Sequence, residues 1–232
     1  MAKNVASISR RVVACTRCPE LRTYCAQIAR VKKRAYRDLP YWGRPVPSFG
    51  DARARVVLVG LAPGAHGSNR TGRMFTGDGS GNFLFPALFR AGFASQPAAI
   101  DRRDGMQLRD LFITAAVRCA PPGNKPTPAE QRNCFPYLIE EFDALERMRV
   151  VVGLGAIGTK AAADALRAAG YLFESGLKFG HGAEAVAANG TRRVTLIASF
   201  HPSQQNTNTG KLTAPMFDTI FERANAILSA SP

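Results

Sequence analysis

Four short apolar runs constrain the fold more than anything else in the chain: residues 56–59 (VVLV), 111–117 (LFITAAV), 150–152 (VVV) and 194–199 (VTLIAS). They are apolar on both alternating faces, so each reads as a strand buried on both sides of a sheet. Segments with helical spacing separate them, at 83–91, 128–145 and 157–169. Strands alternating with helices of this length predict an α/β fold, with a parallel or mostly parallel sheet covered on both faces. Each run ends in a loop rich in glycine, proline or polar residues. Ligands of such sheets bind beyond the carboxyl ends of the strands, so these loops are where chemistry is expected.

With 232 residues, the chain can bury a core without covalent staples, and it is read as one domain over 1–232. The hydrophobic share of 46% excludes wholesale disorder, and no apolar run is long enough for a membrane span. The N-terminus shows no long apolar stretch behind its basic residues, which predicts a cytoplasmic rather than a secreted protein. Lysine and arginine number 31 against 17 carboxylates, a formal charge of +14. An excess of this size favours polyanions, because phosphate neutralisation releases counterions. Part of it falls in an N-terminal basic arm over about 1–50. There, 21–36 reads as an amphipathic helix, able to meet phosphate or simply to present a solvated face. The last residues, 227–232, are expected to fray.

Five cysteines are an awkward number for a fully paired scaffold. Cys15 and Cys18 form a C-x-x-C pair, with Cys119 and Cys134 distant in sequence. Four such thiolates suit tetrahedral zinc or an iron–sulfur cluster equally, and buried free cysteines remain an alternative. Cys25 reads as a small apolar filler. Gly153, Gly155 and Gly158 make G-x-G-x-x-G after a strand. Close helix–strand packing explains that spacing better than a dinucleotide site, so no nucleotide cofactor is expected.

The loop at 60–78, GLAPGAHGSNRTGRMFTGD, and the segment at 201–210, HPSQQNTNTG, together form a specific pair. They resemble the signatures of the uracil-DNA glycosylase superfamily, and more narrowly its family 5, or type B, branch. The resemblance covers about residues 15–215. It implies a three-layer α/β/α fold around a central four-stranded, mostly parallel sheet. It also implies a structural [4Fe-4S] cluster on Cys15, Cys18, Cys119 and Cys134.

The implied activity is hydrolysis of the bond between a damaged base and deoxyribose, which requires flipping the base out of the duplex. The expected partner is double-stranded DNA containing deaminated bases, with single-stranded DNA as a further substrate, and the protein is expected to be a monomer. By the same resemblance, Gly60, Leu61 and Ala62 line the base pocket, Phe75 stacks on the base, and Asn124 lies near it. His201 donates a hydrogen bond to the departing base. Asp78 is the first candidate for positioning water and His66 the second. Asp78 could instead serve only as a helix cap. Ser203, Gln204, Gln205, Asn206, Thr207, Asn208 and Thr209 are the candidates for minor-groove entry. Leu61 stands where the family 4 branch carries glutamate, and Ala115 where other branches carry asparagine. These departures imply a broader range than uracil alone, including hypoxanthine. A strict uracil enzyme and a nonenzymatic nucleic-acid-binding module are the competing readings.

Overall fold

The computed structural model describes residues 4–230; the single domain expected over 1–232 and the frayed end both reach beyond these limits. In chain order the helices are α1 (Val5–Val13), α2 (Pro19–Val31), α3 (Ser68–Thr71), α4 (Gly79–Arg90), α5 (Pro128–Ala144), α6 (Gly155–Ala168), α7 (Gln204–Asn208) and α8 (Ala214–Ser229). The strands are β1 (Phe49–Gly50), β2 (Val56–Gly60), β3 (Leu111–Ala115), β4 (Val150–Leu154), β5 (Leu172–Phe173), β6 (Glu184–Asn189) and β7 (Arg192–Ser199).

The four apolar runs form the middle of the sheet, in the order β3-β2-β4-β7, all parallel. Their alternation divides the core in two. Val56, Leu58, Ile113, Val152 and Ile197 face α4 and α8, where Phe85, Phe217 and Phe221 pack. Val57, Val59, Phe112, Val151 and Leu196 face α5 and α6, against Phe142 and Leu166. The fold is therefore the expected α/β class in three layers.

Among the described residues the sheet has seven strands rather than four. Antiparallel β1 borders β3, and antiparallel β6 and β5 extend the β7 edge. The basic helix is shorter than 21–36. It stops at Val31, where Lys32 takes a left-handed φ of 59°, and a 3-10 turn covers Arg34–Tyr36. The helix expected over 83–91 begins at Gly79, because Asp78 caps it through the Gly81 amide. Residues 227–229 do not fray. They complete α8, and Leu228 is buried in the core.

A buried ion pair ties the sheet to α5. Arg118 Nη2 lies 2.5 Å from Glu141 Oε2, with both side chains almost fully buried. Thr114 Oγ1 donates to the same carboxylate oxygen at 2.6 Å, and Ser48 Oγ donates to the other. Breaking such a pair from one side strands a buried charge, at a cost of about 3–5 kcal/mol. Glu141→Ala should lower unfolding stability by that amount in urea titrations. Adding Arg118→Met should recover most of the loss. No recovery in the double variant would refute the stranded-charge explanation.

Candidate active site

The register brings Gly60 opposite Ala115, and Leu154 opposite Ser199, so the four parallel strands end along one edge. The chain leaves β2 toward β3 on one side and later returns to β4 on the other. The carboxyl ends of β2 and β4 therefore flank a topological switch point, the favoured ligand position in open sheets.

Around that point the signature loop folds against itself. Arg70 donates to the His66 carbonyl and to the Gly77 carbonyl, each at 2.8 Å. Thr71 Oγ1 reaches the Thr76 carbonyl at 3.1 Å. Arg73 makes a two-pronged bond to Asp104, at 2.8 and 2.6 Å. Burial alone would push the Asp104 carboxyl up, but Arg73 and the Met106 and Ile100 amides hold it down to about 2. A polar loop this internally satisfied presents its pocket side preorganised.

Phe75 has a left-handed φ of 51°, uncommon for a bulky residue and a sign of local strain. That backbone lays the ring over Gly60, where a methyl group would come within 2.7 Å of Cζ. The ring centroid is 6.0 Å from that of His201. Gly155, with φ 74°, backs His201; a methyl there would meet its Cβ at 3.2 Å. The other two glycines of G-x-G-x-x-G let α6 approach the sheet. A methyl on Gly153 would come within 2.4 Å of Thr159 Cα, and one on Gly158 within 2.5 Å of the Val59 carbonyl. Burial pulls the His201 imidazole down to about 4, so it is neutral near pH 7 and can donate one N–H.

Asp78 divides its carboxylate between two tasks. Oδ1 accepts the Gly81 amide at 3.0 Å, the helix cap. Oδ2 faces the glycines of the loop, where a methyl would come within 3.0 Å on Gly64 and 1.8 Å on Gly67. Burial pushes this carboxyl up, against the Gly81 and Ser80 amides and the Arg70 charge. A carboxylate held by backbone amides rather than by a side-chain partner, with a raised proton affinity, is suited to taking a proton from water.

The structure brings Gly60, Phe75 and His201 together and sets Asp78 on the same loop. His66 shares no hydrogen bond with Asp78 or His201. Its Nδ1 pairs with the Tyr41 hydroxyl at 3.0 Å, and burial with the Lys33 and Arg70 charges lowers its pKa. The Tyr41 hydroxyl also accepts from the Lys33 amide, which leaves its own proton for Nδ1. Asn124 is exposed in the 3-10 turn Pro122–Asn124, with φ 57°, and its side chain bonds to none of these residues. Leu61 is held through its carbonyl, which accepts the Val117 amide at 3.0 Å. Ala62 packs beside Leu21, Cys25 and Cys119.

The 203–209 segment sorts into two kinds of side chain. Ser203 caps α7, Asn206 Nδ2 donates to the His201 carbonyl at 2.8 Å, Thr207 bonds back to the Ser203 and Gln204 carbonyls, and Thr209 to the Gln205 carbonyl. Gln204, Gln205 and Asn208 are exposed, and among the described residues their side chains make no hydrogen bond. His181 escaped sequence reasoning. Its Nε2 donates to the Met216 carbonyl at 2.9 Å, and its Nδ1 accepts the Phe200 amide at 3.2 Å. It thereby fixes the backbone next to His201. The glycines flanking His181 are the only local cue to this role.

Cys15, Cys18, Cys119 and Cys134 line one small cavity between α2, α5 and the loop after β3. Asn133 Nδ2 donates to Cys18 Sγ at 3.4 Å. Burial raises the Cys134 thiol, against a bond from the Arg118 amide. Among the described residues no group of three or more His, Cys, Asp or Glu side chains is gathered to hold a single metal ion.

Residues 47–225 match the sequence model of the Uracil DNA glycosylase superfamily. The chain is 48% identical over 216 residues to the Type-5 uracil-DNA glycosylase of Thermus thermophilus, spanning 93% of this chain and 94% of that protein. Similarity to the Type-5 uracil-DNA glycosylase of Pyrobaculum aerophilum is 46% over 216 residues, 93% of this chain and 90% of that one. The Type-5 uracil-DNA glycosylase of Mycobacterium bovis is 45% identical over 227 residues, 97% of this chain and 82% of that protein. Taken with a site built at the switch point of a three-layer α/β/α sheet, these likenesses mean that the chain belongs to the uracil DNA glycosylase superfamily, in its type-5 group.

Proposed function

We propose that this protein is a monofunctional DNA glycosylase that releases uracil, and other deaminated bases such as hypoxanthine, leaving an abasic site. The observation that carries the reading is the Phe75–Gly60–His201 wall, with Asp78 on the same loop as Phe75. A flipped base stacks on Phe75 with its edge toward His201. As the bond from C1′ to the base nitrogen breaks, its electron pair leaves with the base, and the His201 N–H stabilises that charge. Water bonds to C1′, and Asp78 takes the proton it sheds. Asp78 also balances the positive charge that develops on the sugar.

Breadth of substrate rests on Ala115. Its side chain is buried in the same cluster as Phe75, opposite Gly60, and offers a methyl rather than an edge-reading amide. A pocket without that amide leaves no polar group unpaired when the base changes. The substrate is duplex DNA, with single-stranded DNA accepted as well, and the enzyme works as a monomer in the cytoplasm. Among the described residues no helix is long and apolar enough to cross a membrane. Oligonucleotides carrying uracil, hypoxanthine or only normal bases, treated with protein and then alkali, should break at the first two. Breakage at uracil alone would leave a strict uracil enzyme. No breakage at any base would leave a nucleic-acid-binding module.

We extend the proposal to a structural [4Fe-4S] cluster on Cys15, Cys18, Cys119 and Cys134. The donor set suits it: four thiolates, one for each iron. Arg22 Nη1 and Arg118 Nε are buried without partners, and both residues line the cysteine cavity. An anionic cluster would supply the missing acceptors. Ala62 and Ala65 pack beside these cysteines, so the cluster would brace the signature loop and the basic arm. Protein purified without oxygen should be brown, with about four irons per chain. Colourless protein with stoichiometric zinc and no iron would reverse the assignment.

A further inference from the structure

A groove of about 580 Å³ lies against the signature loop, away from the strand ends. Its walls are Leu39, Tyr41 and Trp42 of the N-terminal arm, Arg70 of α3, and Ile100 and Arg102 of the segment before β3. Ile100 is 67% exposed and Leu39 43%, so two large apolar side chains stand uncovered in one concavity. Trp42 is held rigid. Its indole N–H donates to the Pro45 carbonyl at 3.1 Å, and its face rests on Gly72, where a methyl would come within 2.9 Å of Cδ2. The Arg102 guanidinium sits 4.7 Å from the ring centroid. Among the described residues Arg102 and Arg103 form no ion pair, although Asp101 lines the same groove. Asp101, the acid of the groove, accepts the Arg103 backbone amide at 2.6 Å.

Aliphatic and aromatic walls edged by guanidiniums that no carboxylate neutralises suit an unpaired nucleotide, with its base against Leu39 and Ile100 and its phosphate on Arg102 and Arg103. A duplex presents phosphates alone, since its base faces are stacked inside, and would leave Leu39 and Ile100 uncovered. We propose that this groove binds single-stranded DNA, as a subsite for an unpaired stretch of the lesion-bearing strand. The inference rests on the glycosylase reading above. It adds a place where strand state, rather than base identity, is sensed, and Tyr41 joins that place to His66.

Trp42 is the chain's single tryptophan, so its fluorescence reports on the groove directly. Undamaged oligothymidine should quench it at saturation. A duplex of equal length, brought to equal occupancy by anisotropy, should leave it nearly unchanged. Replacing the exposed pair, Arg102→Ala with Arg103→Ala, should weaken oligothymidine binding at least about tenfold. The same pair should flatten the salt slope by about 0.7 for each phosphate that the arginines no longer neutralise. Uracil release from duplex at saturating protein should stay within about twofold of wild type. Unchanged Trp42 emission with saturating oligothymidine, or equal weakening of single-stranded and duplex binding, would overturn the proposal. The fluorescence test uses undamaged DNA, so a failure of base release would instead indict the glycosylase reading.

Discussion

Asp78→Asn should slow single-turnover release of uracil by about a hundred- to ten-thousand-fold while leaving DNA affinity intact. Asparagine caps helices as well as aspartate does, so the Gly81 bond at the start of α4 survives and only the charge is lost. Stability should move the other way from activity. Burial raises the Asp78 pKa above its unfolded value. Its contribution to stability is therefore present at low pH and lost as pH rises through the raised pKa. Near pH 7 the buried carboxylate is a burden that asparagine lifts, so the variant should melt no lower than wild type. The same raised pKa shifts the acid limb of the wild-type rate profile above the pH of an ordinary aspartate. An unchanged single-turnover rate would reduce Asp78 to its capping role.

The second large effect concerns His201. His201→Leu should cost about a hundred- to a thousandfold in base release, the usual loss when one donor to a developing anion is removed. Because burial holds the imidazole down to about 4, the donor is neutral imidazole, and its part in the rate should stay level down to about pH 5. Linkage supplies an independent readout. A depressed histidine stabilises the fold above the unfolded pKa of about 6.5, and that stability drains away as pH falls toward the folded value. Between pH 7.5 and 4.5, wild type should lose about 2–3 kcal/mol more than the leucine variant in urea titrations. A leucine variant that keeps its rate and the wild-type pH dependence would make His201 a packing residue only.

The middle of the sheet was legible because burial on both faces writes itself as unbroken apolar runs such as 56–59 and 150–152. The edges were not. β1 and β5 have two residues each, and β6, EAVAAN, is rich in alanine; they are strands because a neighbour offers hydrogen bonds. Helix limits followed local chemistry that a periodicity reading averages away, as at Lys32 and at the Asp78 cap. Within the site, the two contiguous signatures put Gly60, Phe75, Asp78 and His201 on view. The groups that hold them in place stayed hidden. Arg73 with Asp104, Tyr41 with His66, and His181 with Met216 each join residues far apart in sequence, and no spacing rule connects them. The four cysteines that the resemblance groups line one cavity, whereas their spacing alone leaves the partner open.

Hydrolysis of the glycosidic bond by water and the side chains of the loops beyond β2 and β7 is tested most directly by mass spectrometry of a uracil-containing duplex after single-turnover reaction in ¹⁸O-water, with borohydride added to trap any amine adduct. The expected products are free uracil and an intact strand with ¹⁸O on the abasic sugar, with no trapped protein–DNA adduct. A covalent adduct, strand scission before alkali, or an unaltered uracil strand would contradict that hydrolysis.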